Sequence, residues 1–268
     1  MNLLCNPRTR SGWSFFALAL FVVFSPTEIF AQSAEALAAK LDENQRVSSF
    51  VRLRLTVENP EGTKQQSLQV QIKERQTAEG GEVLYQILFP KERKGESVLA
   101  SRRGSAKPSG HKFLLPDKLT ALDDSVLASG LFGGDLAIQD TIENFFAWSS
   151  QAFAGTEEIQ GKECQILESK PGSGQWSAYG SVKSWIDSKR MVPLRVEKYG
   201  KDGRLVKRIE TTRVHRDESG RYVPATMEVR KAGSSSVTEL EGSKIKVGVT
   251  YNGETFTVPK MTDLAAPR

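Results

Sequence analysis

The sequence predicts a mainly β fold with a few helices, an α+β class built on one large antiparallel sheet. Three observations carry this. Apolar and polar residues alternate strictly in several short segments, Gly-bearing turns separate those segments at regular spacing, and residues 117–148 depart from the pattern with a longer, helical period. Alternation with period two gives a strand with one dry face and one wet face, and short turns between such strands make them antiparallel. About ten or eleven strands are expected, within the usual size of large sheets.

Residues 1–31 read as a cleavable signal peptide. Arg8 and Arg10 precede an apolar run from Phe15 to Phe24, Pro26 breaks the run, and Ala31 offers a small residue for cleavage. The run is shorter than the roughly 20 residues a membrane-spanning helix needs. Cys5 lies upstream of the run and no cysteine stands at the cleavage position, so a periplasmic protein without a lipid anchor is expected. No linker or composition shift divides residues 32–268, which are expected to form one domain.

That domain opens with Ala34, Leu37, Ala38 and Leu41 on one helical face, predicting a short amphipathic helix. Strands follow over residues 51–58, 67–73, 83–89, 96–102 and 111–115, with turns at Asn59-Pro60-Glu61-Gly62 and Ala78-Glu79-Gly80-Gly81. In the first strand Arg52 and Arg54 face away from Val51, Leu53 and Leu55. The spacing of Leu119, Leu122, Val126 and Leu127 then predicts a short helix. Asp135, after Gly133-Gly134, is placed to cap a second helix running towards Phe145, Phe146 and Trp148. Strands resume over residues 163–168, 177–187, 192–199, 205–214, 222–230, 235–240 and 244–252, and a helical turn is expected over 259–264.

Composition removes several functions. With 37 Lys+Arg against 32 Asp+Glu the net charge is only +5, too small for a dedicated nucleic-acid binder of this length. Two Cys and two His exclude a zinc cluster and a disulfide framework, and no cofactor or metal is expected. Cys164, alone after loss of Cys5, sits in a strand-like segment and reads as structural. His111 and His215 are isolated, no Gly-x-Ser-x-Gly elbow occurs, and Phe132-Gly133-Gly134-Asp135 is too short for a phosphate loop. Asp123-Asp124 and Asp135 with Asp140 read as helix caps and surface charge rather than as paired catalytic acids. No enzyme is expected. A transmembrane β-barrel would need two aromatic girdles, which 4 Trp and 5 Tyr do not form here.

Several segments together resemble a known family. They are Leu131-Phe132-Gly133-Gly134-Asp135-Leu136-Ala137-Ile138-Gln139-Asp140, Tyr179-Gly180-Ser181-Val182-Lys183-Ser184-Trp185-Ile186-Asp187, Met191 to Tyr199, Gly203-Arg204-Leu205-Val206-Lys207 and Pro224-Ala225-Thr226-Met227, with Asn252 and Phe256 near the end. This pattern resembles the outer-membrane lipoprotein-sorting protein family, related in fold to the lipoprotein carriers of the Gram-negative periplasm. Leu136 and Ile138 stand where that family carries aromatics.

The resemblance implies a curved sheet close to half a barrel, helices over its open side, and a cavity between them for acyl chains. It implies a non-catalytic periplasmic carrier or chaperone that moves lipidated or amphiphilic cargo, lipoprotein or lipid, towards the outer membrane. Its partners would be those acyl chains and an inner-membrane transporter or outer-membrane acceptor. The alternative use of the same fold is an envelope sensor or transporter-accessory module. Under the carrier reading the cavity is expected to be lined by Val51, Leu53, Leu55, Leu68, Val70, Ile72, Tyr85, Ile87 and Phe89. The lid is expected to carry Leu131, Phe132, Leu136, Phe145, Phe146 and Trp148.

Overall fold

A computed structural model of the chain describes residues 33–59, 61–77 and 80–265. The signal segment expected over residues 1–31 lies outside the described residues. Helix α1 (Ala34–Gln45) comes first. Then strands β1 (Ser49–Glu58), β2 (Lys64–Thr77), β3 (Gly80–Phe89), β4 (Ser97–Arg103), β5 (Ser109–Leu114) and β6 (Lys118–Ala121) run as one antiparallel meander. A crossing segment follows, made of helix α2 (Asp124–Ala128) and short 3₁₀ turns at Leu131–Gly133, Ile138–Thr141 and Phe145–Ala147. Strands β7 (Ser150–Ile159), β8 (Lys162–Lys170), β9 (Ser181–Asp187), β10 (Val192–Tyr199), β11 (Leu205–Arg216), β12 (Tyr222–Lys231) and β13 (Val237–Val247) form a second meander, and helix α3 (Val258–Thr262) closes the chain.

The meanders join where β1 pairs with β13, which makes one 13-stranded sheet with β6 and β7 as its edges. The residues between β6 and β7 therefore have to span the sheet from one edge to the other. The sheet is open and curved. Register shifts at Arg52/Leu53, Gln69/Val70 and Thr211/Arg213 interrupt the ladders, and such bulges bend and twist strands.

Two apolar cores fill the concave side. In one, Leu55, Leu68, Val70, Tyr85 and Ile87 from the sheet meet Leu122, Leu127, Leu131, Phe132 and Ile138 from the crossing segment. In the other, Leu37, Ala38 and Leu41 of α1 pack with Phe145, Phe146 and Trp148 against Leu167, Val182, Ile186 and Val196. Helix α1 forms as its periodicity predicts: Ser33 caps it, its hydroxyl accepting from the Ala36 N–H at 3.2 Å, and Ala34, Leu37, Ala38 and Leu41 are its buried face. Met261 of α3 packs with Leu84, Leu99 and Phe113, on side chains that alternate with those of the first core along β3.

The structure departs from the sequence reading in four places. The strand count is 13, above the ten or eleven expected. Residues 235–252, read as two strands, contain one, β13, while the edge strands β6 and β7 were not expected. The first helix of the crossing segment begins only at Asp124, because Leu119 belongs to β6 and Asp123 caps the helix by accepting from the Val126 N–H at 2.8 Å. No continuous helix follows Asp135. Gly133 takes φ +93°, and a Cβ on Gly134 would stand 3.0 Å from the Thr238 side chain, so the chain there is pressed against β13 instead of coiling. Among the described residues, no helix is long and apolar enough to cross a membrane.

Candidate functional site

The two cores do not close on each other. Between them lies a cavity of about 1010 Å³. That is at the top of the roughly 300–1,000 Å³ range of small-molecule pockets. Its sheet wall carries Val51 and Leu53 of β1, Ile72 of β2, Ile209 of β11, Met227 of β12 and Leu240 and Ile245 of β13. Its roof is Leu41 of α1 with Leu136, Ile142, Phe145, Phe146 and Trp148 of the crossing segment. Phe145 stacks edge-on to Trp148 with ring centroids 6.2 Å apart.

The structure divides the residues singled out in sequence. Val51, Leu53 and Ile72 line the cavity, as do Leu136, Phe145, Phe146 and Trp148. Leu55, Leu68, Val70, Tyr85, Ile87, Leu131 and Phe132 sit in the first core instead, where the crossing segment packs directly on the strands. Phe89, at the end of β3, is 56% exposed and lies outside the cavity. The far wall, Ile209, Met227, Leu240 and Ile245, was missed. Its strands were legible; that β13 pairs with β1, and so faces the same space, was not.

Charge underlies the roof. Asp140 and Lys198 meet at 2.8 Å with side chains 1% and 2% exposed, and Lys207 binds the other oxygen of Asp140. The Tyr179 hydroxyl donates to Asp140 at 2.7 Å, and the Ala137 N–H donates to it at 2.8 Å. Lys198 also lies 3.5 Å from Glu143, which accepts from the Ser177 hydroxyl at 2.6 Å. Burial by itself would raise the Asp140 carboxyl, but the charges and hydrogen bonds of Lys198 and Lys207 outweigh it and hold the group well below the usual carboxylate range. Burial wins at Glu143, pushing its carboxyl up against the pull of Lys198. Asp140, Glu143 and Lys198 all line the cavity.

Asp135 anchors the other end of the roof. Its N–H donates to the Thr238 hydroxyl at 2.7 Å, which donates back to its carboxylate at 2.9 Å, and the Ser236 hydroxyl donates to both carboxylate oxygens at 3.0 Å. Asp135 is thus a buried clamp rather than the cap of a helix, and Asp140 is buried rather than surface charge, although it also caps the Ile138–Thr141 turn by accepting the Ala137 N–H. A mid-chain aspartate after two glycines signals a cap equally well when the partner is a distant strand, so sequence could not separate the two.

The wet-face cations pair with their neighbours. Arg54 and Arg213 reach Glu241 at 3.5 and 3.6 Å, Arg195 reaches Glu210 at 3.0 Å, and Arg208 reaches Glu197 at 2.7 Å. This is a mixed-sign surface, not a concentrated positive field.

A model of a family described only as uncharacterized protein matches residues 79–263, more than half of the chain. The chain belongs to the DUF1329-like family. Every segment that carried the resemblance in sequence lies inside the match, and Asp140, Tyr179, Lys198 and Lys207, from four stretches of those segments, converge on one buried cluster. The crystal structure of a DUF1329 family protein from Desulfovibrio piger is similar with a TM-score of 0.77 at 19% identity, over 85% of this chain and 97% of that one. A putative outer membrane lipoprotein-sorting protein domain from Vibrio parahaemolyticus is similar with a TM-score of 0.73 at 16% identity, over 84% of this chain and 97% of that one. A LolA superfamily protein from Nitrosomonas europaea gives 0.67 at 20% identity, over 85% and 98%. At such identities the likeness is one of fold, and the DUF1329-like chain shares the lipoprotein-sorting and LolA-superfamily architecture. No curated protein is significantly similar to it in sequence.

Proposed function

We propose that this DUF1329-like protein is a non-catalytic periplasmic carrier that holds the acyl chains of a lipid, lipoprotein or other amphiphile in the cavity and passes them towards the outer membrane. The observation that carries the reading is the cavity itself, about 1010 Å³ with an aliphatic sheet wall and an aromatic roof. Burying each CH₂ is worth about 0.8 kcal/mol, so a single long acyl chain supplies roughly 10 kcal/mol before ordering costs. Specificity need not come from strong contacts, and no reacting group is required. Fold likeness to lipoprotein-sorting and LolA-superfamily proteins supports the same reading. Residues 1–31 would direct export and be removed, leaving residues 32–268 as the working domain. Loading and release would involve an inner-membrane transporter and an outer-membrane acceptor, because affinity of this size otherwise traps the cargo.

The test is native mass spectrometry of residues 32–268 purified from a periplasm without detergent, followed by lipid extraction. Bound acyl lipid at a defined stoichiometry is the expected result. A mass that stays ligand-free after incubation with phospholipid vesicles and with a diacylated lipopeptide would overturn the carrier reading in favour of a sensor or accessory module.

A further inference from the structure

The ion pairs that neutralise the wet face stop at Arg54. Val51, Ile72 and Ile245 line the cavity, so Phe50, Arg52, Lys73, Lys244 and Lys246, their neighbours along β1, β2 and β13, point out from the convex face. The register sets these five side by side. Phe50 stands directly between Lys246 of β13 and Lys73 of β2, and Arg52 stands opposite Lys244. The Arg52 guanidinium lies 5.7 Å from the centre of the Phe50 ring. Arg52, Lys244 and Lys246 are exposed, and Phe50 and Lys73 are half-buried.

Among the described residues, none of these four cations has an ion-pair partner. Two acids flank the group and both are taken: Glu241 by Arg54 and Arg213 at 3.5 and 3.6 Å, and Asp263 by Lys260 at 2.6 Å. Like charges directly opposite each other destabilise a strand pair, so Arg52 across from Lys244 works against the fold and calls for another cause.

We propose that this patch docks the protein on a bilayer surface carrying anionic lipid, with Phe50 at the headgroups and Arg52, Lys73, Lys244 and Lys246 on their phosphates. Three features favour a bilayer over an acidic protein. β13, β1 and β2 are paired on both sides, so the patch offers a peptide no free strand edge. An aromatic ring among Lys and Arg is the chemistry that holds peripheral proteins at an anionic interface. The cavity also reaches the surface beside the patch: its lining includes Ser49 and Val247, at the ends of the same strands, and the exposed Gln45, Arg46 and Thr77. Resting on the carrier reading, docking here sets that opening at the membrane that supplies or accepts the cargo.

The experiment is co-sedimentation of residues 32–268 with vesicles of phosphatidylcholine, alone or with about one-third phosphatidylglycerol, at an ionic strength of about 0.15 M. The anionic vesicles should bind far more tightly, and less so as salt is raised. A cation close to such a surface contributes about fivefold in affinity, so R52Q, K244Q and K246Q combined should weaken binding about a hundredfold. K246Q alone should cost about fivefold and decides the matter where the triple variant does not fold. K162Q, K201Q and K231Q combined remove the same charge from exposed positions elsewhere and should bind as wild type does. Equal binding to both vesicles, equal loss in the two triple variants, or no binding by the folded wild type overturns the docking patch, the last in favour of an acidic protein partner. The carrier reading is tested apart from this by uptake of the apolar fluorophore 1-N-phenylnaphthylamine. Both triple variants should take it up as wild type does, and a wild type that takes up none overturns the carrier reading whatever the vesicles show.

Discussion

Asp140 and Lys198, 58 residues apart in sequence, lie 2.8 Å from each other and tie the crossing segment to strand β10. Lys207 and Tyr179 close on the same carboxylate from β11 and from the start of the β9 region. One acidic side chain thus fixes the roof of the cavity to three parts of the second meander. A fully buried ion pair gains little over an apolar core, but removing one partner strands a buried charge. Asp140→Asn should therefore destabilise the protein by about 3–5 kcal/mol. Urea unfolding of the two forms measures this, and a loss under about 1 kcal/mol would mean that the cluster does not hold the roof.

Glu143 makes stability depend on pH in the direction opposite to Asp140. Its folded carboxyl is raised above the unfolded value, about 4.3 for a free Glu, so between those two values the fold keeps a proton that the unfolded chain has released, and stability falls as pH rises. Asp140 is depressed, so its contribution is complete above about pH 4 and is lost as pH falls towards its folded value. Glu143→Gln keeps the shape and removes the first effect. Denaturation profiles from pH 4 to pH 8 should show wild type losing ground to E143Q as pH rises through that window. Parallel profiles would show that Glu143 is ionised in the fold.

Cys164 is fully buried in β8, its thiol donates weakly to the Lys162 carbonyl at 3.5 Å, and burial with the nearby Asp187 charge pushes it up from the ordinary thiol range. A thiolate is the reactive form, so this thiol should be inert. In residues 32–268 it should react with 5,5′-dithiobis(2-nitrobenzoate) only at the rate of unfolding, and at once in denaturant. A fast native reaction would place the thiol at an accessible position.

Much of this fold was legible because most strands have one dry face. Val51 and Leu53 alternate with the exposed Arg52 and Arg54 because one side of β1 meets the cavity while the other meets water, and in β2 the buried Leu68 and Val70 alternate with the exposed Ser67 and Gln69. The edge strands were illegible for the same reason. In β7, Ser150 to Ile159, nearly every residue is exposed, so neither face selects apolar side chains and no alternation develops. Its remaining signal is the turn into β8, where Gln160 and Gly161 take φ of 53° and 69°, as a two-residue hairpin requires. Half of the cavity wall was hidden by topology. Nothing local to Leu240 or Ile245 says that β13 returns to pair with β1, 180 residues or more away along the chain. The buried clamps were hidden too, since Lys198 and Lys207 lie in segments that read as ordinary amphipathic strands and only their convergence on Asp140 buries them.

Leu53 and Leu68 share the dry side of adjacent strands, yet the structure gives them different surroundings. Leu53 is half-buried on the cavity wall, and Leu68 is 1% exposed within the core beneath the crossing segment. A carboxylate at position 68 has no water and no cation beside it, so Leu68→Glu should cost several kcal/mol and unfold much of the population, as an unpaired buried charge does. At position 53 the new carboxylate can be hydrated within the cavity, so Leu53→Glu should stay folded, with a melting temperature close to wild type. Its cost should fall on ligand instead, because the charge spoils the apolar wall where an acyl chain would lie. Circular dichroism melting and 1-N-phenylnaphthylamine binding on both variants separate the two effects. Unfolding of both would show that the cavity wall at Leu53 is solid core, and retained binding in a folded Leu53→Glu would show that the acyl chain lies elsewhere.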